Sequence, residues 1–359
     1  MRPTLHYPDV GGMYGIKRYT VQLAKGLEEL GHQPRLHKRF HRELRFGRMR
    51  IGGMVTVTLA QYLPVPGDLV HATTFHVNPR LRPADVVTVH DVMPLSHPHL
   101  YALSSRELAH IRKQVARSLQ HGHVVTDTEH GRREILRLFP EADPTRVHAI
   151  HLGIDAQAFH PGKPVASKSH PWKTGKLNLL VAMNWELRKR VDLLFEAARE
   201  LPFIHLVQVG SDQPRGMHGP MRDRCQRLAG PLVGQGRYTH LGAVGDAELR
   251  DLYAGADLVV HPSEAEGFGL PPLEALACGA RVLASDIPPH REILGAAGDF
   301  VALDAAALTA ALRRAWSSGE FGAGTGRGAA HAVSFTWRRT AERTVAVYRA
   351  AKPAMVEQT

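Results

Sequence analysis

Residues 257–277 read DLVVHPSEAEGFGLPPLEALA. The run Leu258–Val260 is short, apolar and rich in β-branched residues, as in a strand buried on both faces, and LEALA resumes an apolar pattern behind two prolines. The stretch between them reads as a strand-to-helix turn. Pro272 suits the first helical position, because its missing N–H leaves no intrahelical bond unmade. In an open parallel sheet, ligands bind at turns of this kind, beyond the carboxyl ends of the strands. Gly267 and Gly269 keep side chains away from the backbone, and a helix start directs free N–H groups and partial positive charge outward, an arrangement that suits an anion. Glu266, at the strand end, and Glu274, in the first helical turn, are eight positions apart. Both are acceptor-only groups when ionised, the first suited to sugar hydroxyls and the second to a vicinal diol such as a ribose. A purely structural reading stands beside this one: a first-turn glutamate favours the helix dipole, and Gly-Phe-Gly can simply make a turn.

The same alternation of short apolar runs and helical periods extends along the chain. GDLVHA, DVVTVH, HVVTD and RVHAIHL read as strands of one domain, with helices near 103–120 and 130–139, and Gly31 is placed to stop the helix in YTVQLAKGLEEL. LNLLVAM, IHLVQVG, YTHLG, DLVVHP, RVLAS and DFVAL read as strands of a second, with intervening helices and a final one near 338–351. The segment 161–176, rich in Pro, Ser, Lys and Gly, reads as a linker. With 359 residues, two domains are expected. Their boundaries are set at 1–160 and 177–335, with a C-terminal helix at 336–359 that could pack back on the first domain. The fold class is α/β, two doubly wound parallel sheets.

Composition narrows the function. The chain has 43% hydrophobic residues and two cysteines, Cys225 and Cys278, so neither a disulfide framework nor a multi-cysteine metal site is expected. It shows neither a signal-peptide core nor an apolar run long enough to cross a bilayer, and the expectation is a soluble, cytoplasmic protein. The net charge of +11 is concentrated in residues 1–150, where Lys and Arg outnumber Asp and Glu by 21 to 13. Its densest run, RLHKRFHRELRFGRMR at 35–50, sets Leu36, Phe40 and Leu44 on one helical stripe against Lys38, Arg42, Arg45 and Arg48. That pattern suits an anionic membrane surface or a phosphorylated acceptor, or else a solvated helix face. Aromatic residues are only 6% of the chain and no nucleic-acid module is recognisable, so nucleic acid is not an expected partner.

The segment PSEAEGFGLPPLEALACGARVLASDIPPHREILG at 262–295 resembles the signature region of glycosyltransferase family 4, retaining enzymes that use nucleotide sugars. The two glutamates match that family's E-x7-E spacing. VHDVMPLSHP, HLGID, LRKR, HLGAVGDAEL and SFTWRRTAERTVAVYRA resemble it in the same order along most of the chain. The resemblance implies a GT-B fold, two facing Rossmann-like domains with the active site in the cleft between them. It implies transfer of a hexosyl group such as mannosyl or glucosyl from a nucleoside diphosphate donor to a glycan or lipid-linked acceptor. Roles follow for single residues. Glu266 would contact the donor sugar and Glu274 the ribose, while the amides of Gly267, Phe268, Gly269 and Leu270 would approach the sugar and distal phosphate. Lys189, with Arg188, would hold the diphosphate and stabilise its departure. His90 would lie near the sugar and the reacting centre. In GGMYGIKRYT, either Gly11 and Gly12 or Gly15 would reach the donor phosphates. Met183 and Asn184 depart from the family pattern, in which a glycine and an arginine or threonine are common. No metal or other cofactor is expected, since no Asp-x-Asp element is present. An NDP-sugar epimerase or phosphorylase on the same architecture is the competing reading.

Overall fold

The computed structural model describes residues 1–9, 14–40, 44–46, 49–51, 65–79, 83–162, 171–210, 219–319 and 326–353. Fourteen strands are described: β1 (Thr4–Asp9), β2 (Arg35–Phe40), β3 (Leu44–Phe46), β4 (Met49–Ile51), β5 (Val70–Ala72), β6 (Val86–Thr88), β7 (His123–Thr126), β8 (Val147–Ala149), β9 (Leu177–Ala182), β10 (Ile204–Val209), β11 (Tyr238–Gly242), β12 (Leu258–His261), β13 (Val282–Ser285) and β14 (Asp299–Val301). They form two six-stranded sheets and a hairpin of β3 with β4. The chain divides into two compact units, residues 1–96, 103–153 and 335–359 in the first, and 97–102 with 154–334 in the second.

The first sheet has the order β2-β1-β5-β6-β7-β8, with every pair parallel. Val86, Val87, Val124, Val115 and Ile135 are fully buried in its core. The closing helix Trp337–Ala351 belongs to this unit and crosses the helix Tyr14–Glu29 at Gly26, where a Cβ would come within 2.6 Å of the Trp337 carbonyl oxygen. Only a glycine permits that approach. Thr340 donates its hydroxyl to the His151 carbonyl (2.8 Å), and the Tyr348 hydroxyl lies 2.8 Å from His71 Nδ1. Gly31 takes φ +77° just beyond the first helix, and its amide caps the Glu28 carbonyl.

One expectation is overturned here. The described residues of 35–50 form strands and not a basic helix: Arg35–Phe40 is an edge strand in parallel register with Thr4–Asp9, and Leu44–Phe46 pairs antiparallel with Met49–Ile51. Leu36 and Phe40 are four apart, a spacing that fits a strand of period two as well as a helical stripe, and pairing with β1 decides between them. β1 spans six residues and is paired with β2 along its whole length. Arg42 and Arg48 lie outside the described residues, and Leu36 is 47% exposed.

The second sheet has the order β11-β10-β9-β12-β13-β14, all parallel. Numbered within the unit this is 3-2-1-4-5-6, the doubly wound order whose direction of winding reverses between its two central strands, here β9 and β12. Those strands are buried along nearly their whole length, as LNLLVA and LVVH anticipate, and pack on Phe195, Leu206 and Leu283. Polar residues within the sheet are paired: His205 Nδ1 lies 3.1 Å from Asn178 Oδ1, and Trp185 donates to Gln208 (2.9 Å). Cys225 and Cys278 are free and buried, and burial pushes each thiol up to about 12.

Candidate functional site

The reversal point of the second sheet brings together two loops distant in sequence. Beyond β9, Leu187–Lys189 forms a single 3-10 turn that ends on Arg190, the one non-glycine residue with positive φ (49°) among the described residues. A left-handed residue costs roughly 1 kcal/mol, and contacts on both sides hold this one. Arg190 donates to Glu264 (2.8 Å) and Asp192 (3.2 Å), and the Glu264 amide donates to the Arg188 carbonyl (2.7 Å). The turn beyond β9 is thereby tied to the loop beyond β12.

Between the loops lies Glu266. Lys189 Nζ and His261 Nε2 (2.9 Å) both reach its Oε1, and Arg188 donates to Oε2 at 2.8 Å. Glu266 and Lys189 are each only 8% exposed. Burial alone would raise the Glu266 carboxyl, but the charges of Lys189 and Arg188 and the His261 hydrogen bond outweigh it and hold the group well below the usual carboxylate range. Burial lowers the Lys189 ammonium, with Glu266 opposing the shift. Burial also takes His261 down to about 3, so its imidazole is neutral and donates through Nε2. A carboxylate oxygen accepts about two hydrogen bonds. Oε1 is therefore filled, and Oε2 retains capacity for one more donor.

The helix after this loop spans Leu270–Ala277, starting two residues earlier than the prolines suggest. Gly269 caps it at φ +97° with no side-chain capping bond. Pro271 and Pro272 have no N–H, so the amides without an intrahelical acceptor at this helix start are those of Gly269 and Leu270. Glu274 consequently sits in the second turn, not the first, and is 5% exposed, a burial that a surface helix-dipole partner would not need. Phe268 is buried in the loop. Thus Arg188, Lys189, Glu266, Gly269 and Leu270 of the expected set fall around one reversal point, with Glu274 on the adjoining helix.

Two further members carry no motif. His261 ends β12 and His90 follows β6 by two residues, each closing an apolar run, and that parallel between LVVH and VTVH is the signal that could have found it. His290, on the helix Pro288–Leu294, is fully buried with its ring 5.2 Å from that of His261. His261, Glu266 and His290 bring ligand atoms within 4.8 Å of one another, a grouping of metal-binding type. Lys189 and Arg188 already neutralise the carboxylate, so a cation there would face two positive side chains. The donor types themselves are those of known metal sites, and it is the two neighbouring cations that oppose an ion here.

In the first unit, His90 lies between acceptors. Nδ1 is 3.0 and 3.1 Å from the two Asp127 oxygens, and Nε2 is 3.1 Å from the Thr73 carbonyl oxygen. A carboxylate and a carbonyl can only accept, so both ring nitrogens donate and the imidazolium is the fitting form. Burial opposes the charge, but Asp127, Asp91 and the Thr73 carbonyl together raise the pKa. A raised folded-state pKa stabilises fully below the unfolded value and is lost as pH rises through the folded one. NMR titration is expected to show the His90 pKa falling in Asp127→Asn, and the stability gap between that variant and wild type narrowing above neutral pH. Gly15 lies in the first turn of the helix Tyr14–Glu29, exposed, with open space where a Cβ would stand. Gly11 and Gly12 lie outside the described residues.

This architecture is shared with known enzymes. Sucrose-phosphate synthase from Thermosynechococcus elongatus matches with a TM-score of 0.76 at 20% identity, over 99% of this chain and 100% of that one. Anabaena HepE, solved in complex with UDP and glucose, matches at 0.71 and 16% identity, over 97% and 99%. The fold is that of the GT-B glycosyltransferases. In sequence, residues 163–323 match the family model described as Glycosyl transferases group 1. The D-inositol 3-phosphate glycosyltransferase of Mycobacterium tuberculosis is 31% identical over 243 residues, 64% of this chain and 48% of that protein. The chain spans about half the length of the curated relatives it matches.

Proposed function

We propose that the chain is a retaining glycosyltransferase that moves a hexosyl group from a nucleoside diphosphate to an acceptor hydroxyl, in the assembly of a glycan, polysaccharide or glycolipid. The observation that carries this reading is the convergence of Lys189 and Arg188 on Glu266 at the reversal point of the second sheet, next to the unblocked start of the helix Leu270–Ala277. Two cations and a helix N-terminus suit a diphosphate leaving group. The family match over residues 163–323 and the UDP and glucose in the Anabaena relative support the choice of ligand.

In the step proposed, the bond from the sugar's anomeric carbon to the distal phosphate oxygen breaks, and its electron pair leaves with the diphosphate. The acceptor oxygen bonds to that carbon from the same face, and its proton passes to a phosphate oxygen. Lys189 and Arg188 stabilise the charge developing on the diphosphate without a metal ion. Glu266 takes a sugar hydroxyl on the free capacity of Oε2, Glu274 binds the ribose, and His90 serves the acceptor-side unit. No helix among the described residues is long and apolar enough to cross a membrane. We propose that the basic residues 35–50 nevertheless favour an anionic lipid surface bearing the acceptor.

The direct test is to incubate the protein with UDP-, GDP- and ADP-linked glucose and mannose, with and without acceptor sugars, and to assign the product anomer by NMR. Transfer with inversion, or isomerisation of the donor alone, would overturn the reading. Glu274→Ala is expected to raise the donor KM about tenfold or more with kcat little changed, since a lost charged hydrogen bond is worth about 1.5–3 kcal/mol. Steady-state kinetics separate the two parameters.

A further inference from the structure

We propose that His290 is a specificity-determining residue whose Nε2 accepts a hydrogen bond from a hydroxyl of the donor sugar. The inference rests on the glycosyltransferase reading above. His290 Nδ1 lies 2.9 Å from the Ser285 carbonyl oxygen and 3.2 Å from Ser285 Oγ. The carbonyl can only accept, and Ser285 Oγ donates its own proton to the Ser263 carbonyl. Nδ1 therefore carries the ring proton, and Nε2 presents a lone pair. Burial favours the neutral ring.

That lone pair is fully buried and has no partner among the described residues. An unmatched buried polar atom costs on the order of 1–3 kcal/mol, which makes such atoms rare. Its position points to a ligand. A Cβ on Gly269, the cap of the candidate phosphate-binding helix, would lie 3.5 Å from His290 Cδ2, 3.8 Å from Nε2 and 3.6 Å from Pro272 Cγ. The Cδ2–Nε2 edge thus faces the helix start across the space of one missing methyl group. A ligand group filling it must be small and must donate a proton. A diphosphate offers acceptors only at neutral pH, so its oxygens do not match Nε2, whereas a sugar hydroxyl does. Glu266 reinforces the assignment, since it lies near enough to influence the His290 ring and keeps acceptor capacity on Oε2. Two acceptors on one side of the helix start would read sugar hydroxyls, and the cations would read the phosphates.

The experiment compares a nucleotide with its sugar conjugate. Isothermal titration of wild-type protein with UDP, GDP and ADP, and with their glucose and mannose conjugates, selects the donor. The same pair is then titrated into His290→Asn and His290→Gln. Asn keeps a donor near the Nδ1 position and loses the Nε2 acceptor, while Gln places an acceptor near Nε2. His290→Asn is expected to weaken the sugar nucleotide tenfold or more while leaving the bare nucleotide within twofold, and His290→Gln to recover most of the loss. Equal weakening of both ligands, or none of either, would overturn the assignment to the sugar and leave Nε2 a packing feature or the acceptor of a buried water. Failure of any nucleotide to bind wild-type protein would instead sink the glycosyltransferase reading itself.

Discussion

Lys189→Ala is expected to lower kcat at saturating donor by a factor of about 100–1000, the range seen when one preorganised donor to a developing charge is removed. The ammonium is buried, fixed on a 3-10 turn and aimed at the reversal point, so it needs little reorganisation as the diphosphate takes up charge. Arg188 is the neighbouring cation, and its remaining charge explains why the loss should stop short of inactivity. A stability control is needed, because the substitution also removes one of the three partners of Glu266. Thermal denaturation and circular dichroism of the variant distinguish a folded, slow enzyme from an unfolded one. Full turnover in a folded variant would remove Lys189 from the mechanism.

Glu266→Gln should be the most destabilising single change at the site. The carboxylate neutralises Lys189 and Arg188 where little water reaches them; Arg188 keeps Glu186 (2.9 Å), but Lys189 loses its carboxylate partner, and breaking a buried charge pair in this way costs about 3–5 kcal/mol. For a unit of this size that is a fall in Tm on the order of 10 °C. The sign of the pH dependence follows from the lowered carboxyl pKa. The contribution of Glu266 is present above the ordinary carboxylate range and is lost as pH falls through its folded value, so the difference from wild type is full at neutral pH and shrinks in strong acid. Nucleoside diphosphate should restore part of the lost stability by supplying negative charge to the same two cations. In the variant it should bind more tightly than in wild type, where Glu266 competes for them, even though transfer is impaired. Differential scanning fluorimetry with and without UDP and GDP measures both effects. An unchanged Tm would mean that the two cations do not depend on Glu266.

These expectations separate what was local from what was not. DLVV, LNLLVA and IHLVQV announce buried parallel strands because apolar continuity over four to six residues is itself the requirement for burial on two faces. The glycine-framed turn at 266–274 was visible for a similar reason, since residue type and short spacing carry its chemistry, whereas RKR at 188–190 taken by itself is a charge run and stood out only through the family resemblance. The start of the helix was displaced by two residues because two prolines fit several first-turn positions. The basic segment at 35–50 was misread as helix because a four-residue apolar spacing satisfies two periods, and only the partner strand Thr4–Asp9 resolves them.

By itself the sequence determined the strands of the second sheet, most of those of the first and the glutamates of the turn, since each depends on neighbours within one element; the edge strand Arg35–Phe40 it did not. Tertiary structure alone decided that Lys189 and Glu266, 77 residues apart, form one charge cluster, because the order of β9 beside β12 is set by strand pairing across the whole unit. It also decided the tautomer of His290 and the isolation of its Nε2. Those depend on a carbonyl, a hydroxyl and a missing Cβ brought together from separate loops, and no window of sequence contains them.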